Sequence, residues 1–182
     1  MRQPRNPKLM PTSLAIPTID LDRDDKEILP TLERALCNIG FVLVKGHDVP
    51  AELVSNLRRY LIDYFDRPLA DKMAERITPH NYRGYIPLGF FSPNTDGVTP
   101  DQYEGYKLHA EVAADDRLCA ACDLYGPNRW PEEPAGLRET TEAFWQACEA
   151  TGQRLLCLIA HLLEVSVADF MAYFDKTLSN MT

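Results

Sequence analysis

The sequence predicts an α+β fold, rich in helix and carrying only short strands. Two observations carry that expectation. Apolar residues recur at helical three-to-four spacing around residues 28–39, 53–65 and 137–162. Before and between them stand short apolar runs, bounded by glycine or interrupted by proline, that are too brief for helices.

Taken in order, Ile16-Pro17-Thr18-Ile19-Asp20-Leu21 reads as a strand, with Pro17 confining it to an edge or a strand start. Asp22, Asp24 and Asp25 suit a helix N-terminus, where the dipole favours negative charge. Ile28, Leu29, Leu32, Leu36 and Ile39 form the stripe of that helix, and Gly40 stands where a C-terminal glycine belongs. Pro30 fits only within the first turn. Phe41-Val42-Leu43-Val44, between Gly40 and Gly46, predicts a buried strand. Pro50 opens the next helix at its first position, with Leu53, Val54, Leu57, Leu61 and Phe65 as its apolar stripe. A shorter helix runs from Pro68 through Lys72 and Glu75.

From Thr78 to Pro134 the texture changes: prolines, glycines and aromatics alternate, which predicts loops with short strands. Helix resumes from about Pro134 to Glu164, with Leu137, Phe144, Cys148, Leu155, Ile159 and Leu162 on one face, and a last short helix covers about Val167 to Phe174. Residues 1–14 read as a flexible lead-in, leaving 15–182 as one domain.

A chain of 182 residues can build its own core. Its net charge of −8 argues against nucleic-acid binding, since the only basic cluster is Arg2, Arg5 and Lys8. Five cysteines, an odd number, with no signal-peptide pattern suggest reduced thiols and a cytoplasmic protein. No apolar run reaches the ~20 residues of a membrane span.

The order of these pieces resembles a family. Ile16–Leu21, the Gly40-Phe41-Val42-Leu43-Val44-Lys45-Gly46-His47 run, Phe65 with Pro68-Leu69-Ala70-Asp71-Lys72, Tyr82-Arg83-Gly84-Tyr85-Ile86-Pro87 and Gly126-Pro127-Asn128-Arg129-Trp130-Pro131 are similar to the N-terminal region of isopenicillin N synthase-like, 2-oxoglutarate- and Fe(II)-dependent dioxygenases. The resemblance implies a helix-rich module whose short strands pack, in relatives, on a double-stranded β-helix (jelly-roll) core. It implies oxidation of a small-molecule substrate with Fe(II) and, in most relatives, 2-oxoglutarate. The family's iron ligands, a His-x-Asp pair and a distant His, lie beyond the long helix. No His-x-Asp occurs here, so the chain is expected to be truncated before the catalytic core, to be inactive alone, and to bind neither iron nor 2-oxoglutarate by itself. A complementing C-terminal half, or self-association through an exposed apolar helix face, would then supply the missing cover.

Two other functional readings stand beside this. One is a non-catalytic binding or interaction module derived from the family. The other is a metalloenzyme using His109, Glu111 and His161, since residues i and i+2 of a strand share a face. His161, however, shares a helix face with Arg154 and Ala150, which suggests solvent exposure. His47 and His80 read as turn and surface residues, and Cys119-Ala120-Ala121-Cys122 lacks the second pair a structural zinc needs. Arg83 has two readings. With Tyr82 and Tyr85 it is a candidate for binding a substrate carboxylate near the mouth that relatives build from this strand; alternatively it covers a tyrosine face at the surface. Tyr85 and Tyr106 equally suit a core.

Overall fold

A computed structural model describes residues 15–78, 80–91, 99, 101–122, 124–175 and 178–182. The lead-in 1–14 with its Arg2, Arg5 and Lys8 cluster lies outside the described residues, as do Pro79, Pro93, Gly97, Pro100 and Lys176-Thr177. The architecture is α+β with short strands. The chain divides into two compact units, Met1–Asp48 with Thr151–Val167 and Val49–Ala150 with Ala168–Thr182.

In the first unit, β1 (Thr18–Asp20) pairs in parallel with β2 (Leu43–Lys45), Ile19 opposite Val44. Between them runs α1 (Asp25–Asn38). Asp24 caps it, its carboxylate accepting from the Lys26 backbone N–H, and Asp25 and Glu27 complement the dipole. Gly40, at φ +82°, closes it by donating its N–H to the Ala35 carbonyl. Pro30 falls past the first turn, contrary to expectation. The position is exposed, so water can serve the carbonyl that a proline ring leaves without a donor. Ile28, Leu32 and Ala35 are the buried positions of this helix, while Leu36 is exposed. They pack with Ile19 and Leu158, and Leu21, Leu29, Val42, Val44, Leu155 and Leu162 surround that core.

The second strand is not buried as the sequence suggests. Phe41 is 68 % exposed and Leu43 54 %, whereas Val42 and Val44 face the core. A two-stranded sheet with a helix on one side covers one face only, and the period of two sends alternate residues out.

The second unit begins with α2 (Ala51–Phe65), for which Pro50 is the N-cap, one position earlier than expected. Leu57 and Tyr64 are its buried residues, and Val54 faces outward. After α3 (Leu69–Ala74) come β3 (Gly84–Ile86) and β4 (Gly105–His109), which pair antiparallel with Tyr85 opposite Tyr106. β5 (Asn180–Met181) joins the other edge of β4. Gly84 lies at φ +116°, and a Cβ there would sit 2.1 Å from the Glu75 carbonyl oxygen, so no other residue fits. This close approach lets the Tyr85 N–H donate to that same carbonyl.

The short helix α4 spans Arg117–Ala121, and α5 spans Leu137–Leu162. The apolar residues of α5 serve two cores. Leu137 and Phe144 pack with Leu57, Tyr64 and Tyr85 in the second unit; Leu155, Leu158 and Leu162 belong to the first. Thr141, Leu158 and Ala160, none of them in the expected stripe, are among its most buried residues. Of the expected stripe, Leu137 is buried, while Phe144, Cys148, Leu155, Ile159 and Leu162 are half-buried. α6 (Val167–Met171) and a 3-10 turn (Ala172–Phe174) follow. No helix among the described residues is long and apolar enough to cross a membrane.

Candidate functional site

The three residues singled out as substrate contacts sit at the start of β3, in the second unit. Arg83 is 1 % exposed, which excludes the surface role. Its Nη2 donates to the Leu124 carbonyl at 2.5 Å, and its Nε has no hydrogen-bond partner. Burial lowers its pKa, while the charges of Glu111 and Cys119 act the other way. Tyr82 is half-buried, its ring edge-on to Phe91 at 6.5 Å. Tyr85 is 1 % exposed and part of the core.

Tyr85 belongs to a polar network that sequence spacing does not reveal. Its hydroxyl donates to Glu104 at 2.6 Å, and Lys72 Nζ donates to Glu104 at 3.0 Å and to the Phe65 carbonyl at 2.6 Å. Burial, helped by Glu104, pushes the Tyr85 phenol up to about 12. Burial also acts to raise the Glu104 pKa, but the bonds from Tyr85 and Lys72 outweigh it and hold the carboxyl below its usual value. Alongside, the Tyr64 hydroxyl donates to Glu75, which also pairs with Arg67 at 3.1 Å. These groups lock the sheet to α2 and α3.

On the other side of Arg83, His109 ends β4 with 6 % exposure. Its Nε2 lies 3.2 Å from the Tyr82 carbonyl oxygen, and its Nδ1 has no partner. Burial lowers its pKa, and the charges of Arg83 and Lys107 lower it further against the Tyr82 bond. Asn128, from the Gly-Pro-Asn-Arg-Trp-Pro turn, grips the backbone of the same residue. The Asn128 amide oxygen accepts from His109 N–H at 3.0 Å, and its Nδ2 donates to the His109 carbonyl at 2.7 Å. Glu111 accepts from the Asn128 backbone and Nδ2, both at 2.9 Å, and from Trp130 Nε1 at 3.3 Å. The turn holds the end of β4 by side-chain chemistry, a role the fingerprint alone did not disclose. The signal was present: an asparagine flanked by two prolines, with a glutamate two positions past a histidine.

His109, Glu111 and His161 do not make a metal centre. The strand ends at His109, so the shared-face argument fails for Glu111. His161 stands in the first unit with its Nδ1 3.5 Å from Asp25, which also pairs with Arg154. Among the described residues no three His, Cys, Asp or Glu side chains form a group able to hold a metal. The facial triad that the resemblance implies for the iron is not found among the described residues. Cys119 lies within α4, its Sγ donating to the Ala113 carbonyl at 3.3 Å, and Cys122 follows as the C-cap. His47 and His80 are exposed.

Among the hollows lined by described residues of this unit, two differ sharply in character. An apolar groove of about 570 Å³ is lined by Val54, Leu57, Leu61, Phe65, Trp130 and Phe144 among others. A more polar cleft of about 360 Å³ lies between the end of β4 and the first half of α5.

A family model described as non-haem dioxygenase in morphine synthesis, N-terminal, matches residues 16–133. A homoarginine-6-hydroxylase of Arabidopsis thaliana is 26% identical over 171 residues, covering 86% of this chain and 51% of the relative. The 2-oxoglutarate-dependent dioxygenase tropC of Talaromyces stipitatus is 31% identical over 129 residues, covering 64% of this chain and 39% of that protein. Among solved structures, a 2OG-Fe(II) oxygenase family protein from Caulobacter crescentus has the same fold, with a TM-score of 0.73 at 20% identity over 87% of this chain and 51% of that one. The chain spans about half the length of the curated relatives it matches, 51%, 40% and 43% of the first three. With more than half of its residues matched, the chain belongs to the non-haem dioxygenase N-terminal family, the N-terminal region of 2-oxoglutarate- and Fe(II)-dependent oxygenases.

Proposed function

We propose that residues 15–182 form the N-terminal domain of a non-haem Fe(II)/2-oxoglutarate-type oxidoreductase acting on a small molecule, and that the iron and co-substrate are held by polypeptide outside these residues. The observation that carries this reading is the family match over 16–133 in a sequence that contains no His-x-Asp pair. The jelly-roll core belongs, on this reading, to the same missing polypeptide, and the chain alone is inactive. The domain's part is architectural and substrate-facing. Arg83, with Tyr82 and Tyr85 beside it, contributes to the substrate mouth. The unpartnered Nε of Arg83 supports this, because a buried guanidinium N–H without an acceptor is costly and a ligand oxygen would satisfy it. The Tyr85 hydroxyl, already committed to Glu104, acts by positioning.

A second reading, a binding or interaction module without catalysis, is favoured by the apolar groove beside α2, which suits a polypeptide partner.

The test is an anaerobic titration of the purified 182-residue chain with Fe(II), with and without 2-oxoglutarate, followed by oxygen uptake after air is admitted. Neither stoichiometric metal binding nor oxygen consumption is expected. One iron bound per chain, or metal-dependent oxygen uptake, overturns the reading.

A further inference from the structure

His109 stands where three segments of the second unit meet. It ends β4, it pairs with Asn180 of β5, and Asn128 holds both its backbone N–H and its carbonyl. The next residue, Ala110, donates its N–H to the Ser179 carbonyl at 2.8 Å. β5 is two residues long and joins the sheet through β4 alone. Two side-chain bonds add to that ladder, Lys107 Nζ to Asn180 at 2.9 Å and Ser179 Oγ to Glu149 at 3.3 Å. The hold on β5 therefore centres on His109 and its neighbours in sequence.

The ring at this junction has no place for a second proton. A carbonyl oxygen only accepts, so Nε2, 3.2 Å from the Tyr82 carbonyl, carries the one ring proton of the neutral form. Nδ1 is enclosed and has no hydrogen-bond partner. Protonated, it would be a charged donor shut away from any acceptor, which is far costlier than a bare acceptor in the same place.

The charged groups around the ring add to that cost. Arg83, buried just before β3, and Lys107, two positions back on β4, are both cations that act on it. The nearby carboxylates are occupied elsewhere: Glu111 with Asn128 and Trp130, Glu142 with Arg138, Glu149 with Trp145 and Ser179. Burial and the two cations lower the His109 pKa, and only the Tyr82 bond opposes them.

We propose that His109 is an acid-sensitive latch: one proton taken up by its ring releases β5 from β4 while the rest of the chain stays folded. The ring reaches water only when the end of β4 moves, and that movement undoes the ladder to β5. Folded His109 takes a proton less readily than the released ring. The hold is thus complete above the ordinary histidine value of 6.5 and weakens as pH falls below it, down to the lowered value. The latch does not depend on the oxygenase reading.

Hydrogen–deuterium exchange of the full chain, corrected for the intrinsic pH dependence of exchange, reads the latch at residues 178–182, with residues 28–35 of α1 as the reference. From pH 7.5 to 5.5 the opening of 178–182 is expected to rise about tenfold, as a released imidazole becomes charged, while 28–35 stays protected. His109→Gln keeps an N–H donor for the Tyr82 carbonyl and cannot titrate in this range, so the rise should vanish. If that variant is unfolded by circular dichroism at pH 7.5, the imidazole nitrogen chemical shifts of the wild-type chain are read instead. One of its four histidines should keep the neutral Nε2–H form at pH 5.5. No rise in the wild-type chain, an equal rise in the variant or at 28–35, or four imidazoles that all titrate near 6.5 overturns the proposal.

Discussion

The two units bury different chemistry. The core of the first is aliphatic: Ile19, Ile28, Leu32 and Leu158, with further Leu and Val around it. That of the second mixes Leu57 and Leu137 with Tyr64 and Tyr85. Every buried polar or charged side chain among the described residues, Lys72, Arg83, His109 and Thr141, belongs to this second unit. An aliphatic core is held by area removed from water, which has no direction. A core with buried polar groups must also satisfy each of them, so its stability is tied to particular partners. The unit with that added constraint is the one that carries the candidate sites.

The contrast can be broken by four measurements. Leu32→Ala should cost about 3–4 kcal/mol in urea unfolding, the loss of a fully buried leucine; a cost below ~1 kcal/mol would mean that α1 is not held by area. Lys72→Met should cost about 2–3 kcal/mol, less than a wholly buried pair because the Glu104 side chain is 32% exposed. Adding Glu104→Gln should recover part of that loss, and strict additivity of the two would deny the network. Tyr64→Phe keeps the packing and deletes only the hydroxyl that donates to Glu75 at 2.8 Å, for a cost of about 1–2 kcal/mol.

The smallest effect belongs to the first unit. The hydrogen bond from Arg154 holds the Asp25 carboxyl below its usual 3.8. A folded-state pKa below the unfolded one stabilises above pH 3.8 and loses that contribution as pH falls through the lower value. Both side chains are about one-third exposed, so screening keeps the contribution small. Asp25→Asn should therefore destabilise slightly at neutral pH, and the gap from wild type should close in acid. A gap that widens in acid would invert the assignment.

What could be read from sequence follows the same division. The helix bounds and much of the aliphatic core came from periodicity, because area burial leaves a repeating trace along the chain. Phe41 and Leu43 misled because a short apolar run does not reveal whether one face or two will be covered. The Lys72–Glu104–Tyr85 network left no trace, since its members are 32 and 19 residues apart and the pairing depends on how β3 and β4 meet. Arg83 was legible as a candidate, but its burial was not, because arginine is seldom fully enclosed.

Asn128 shows how little sequence is needed to substitute for a strand. A primary amide on a short side chain has the donor and acceptor of a peptide group, and here it meets the backbone of His109 as a neighbouring strand would. Such an attachment fixes a single residue of the strand, His109, by both its backbone N–H and its carbonyl. One side chain thereby ties the turn that begins at Gly126 to the end of β4.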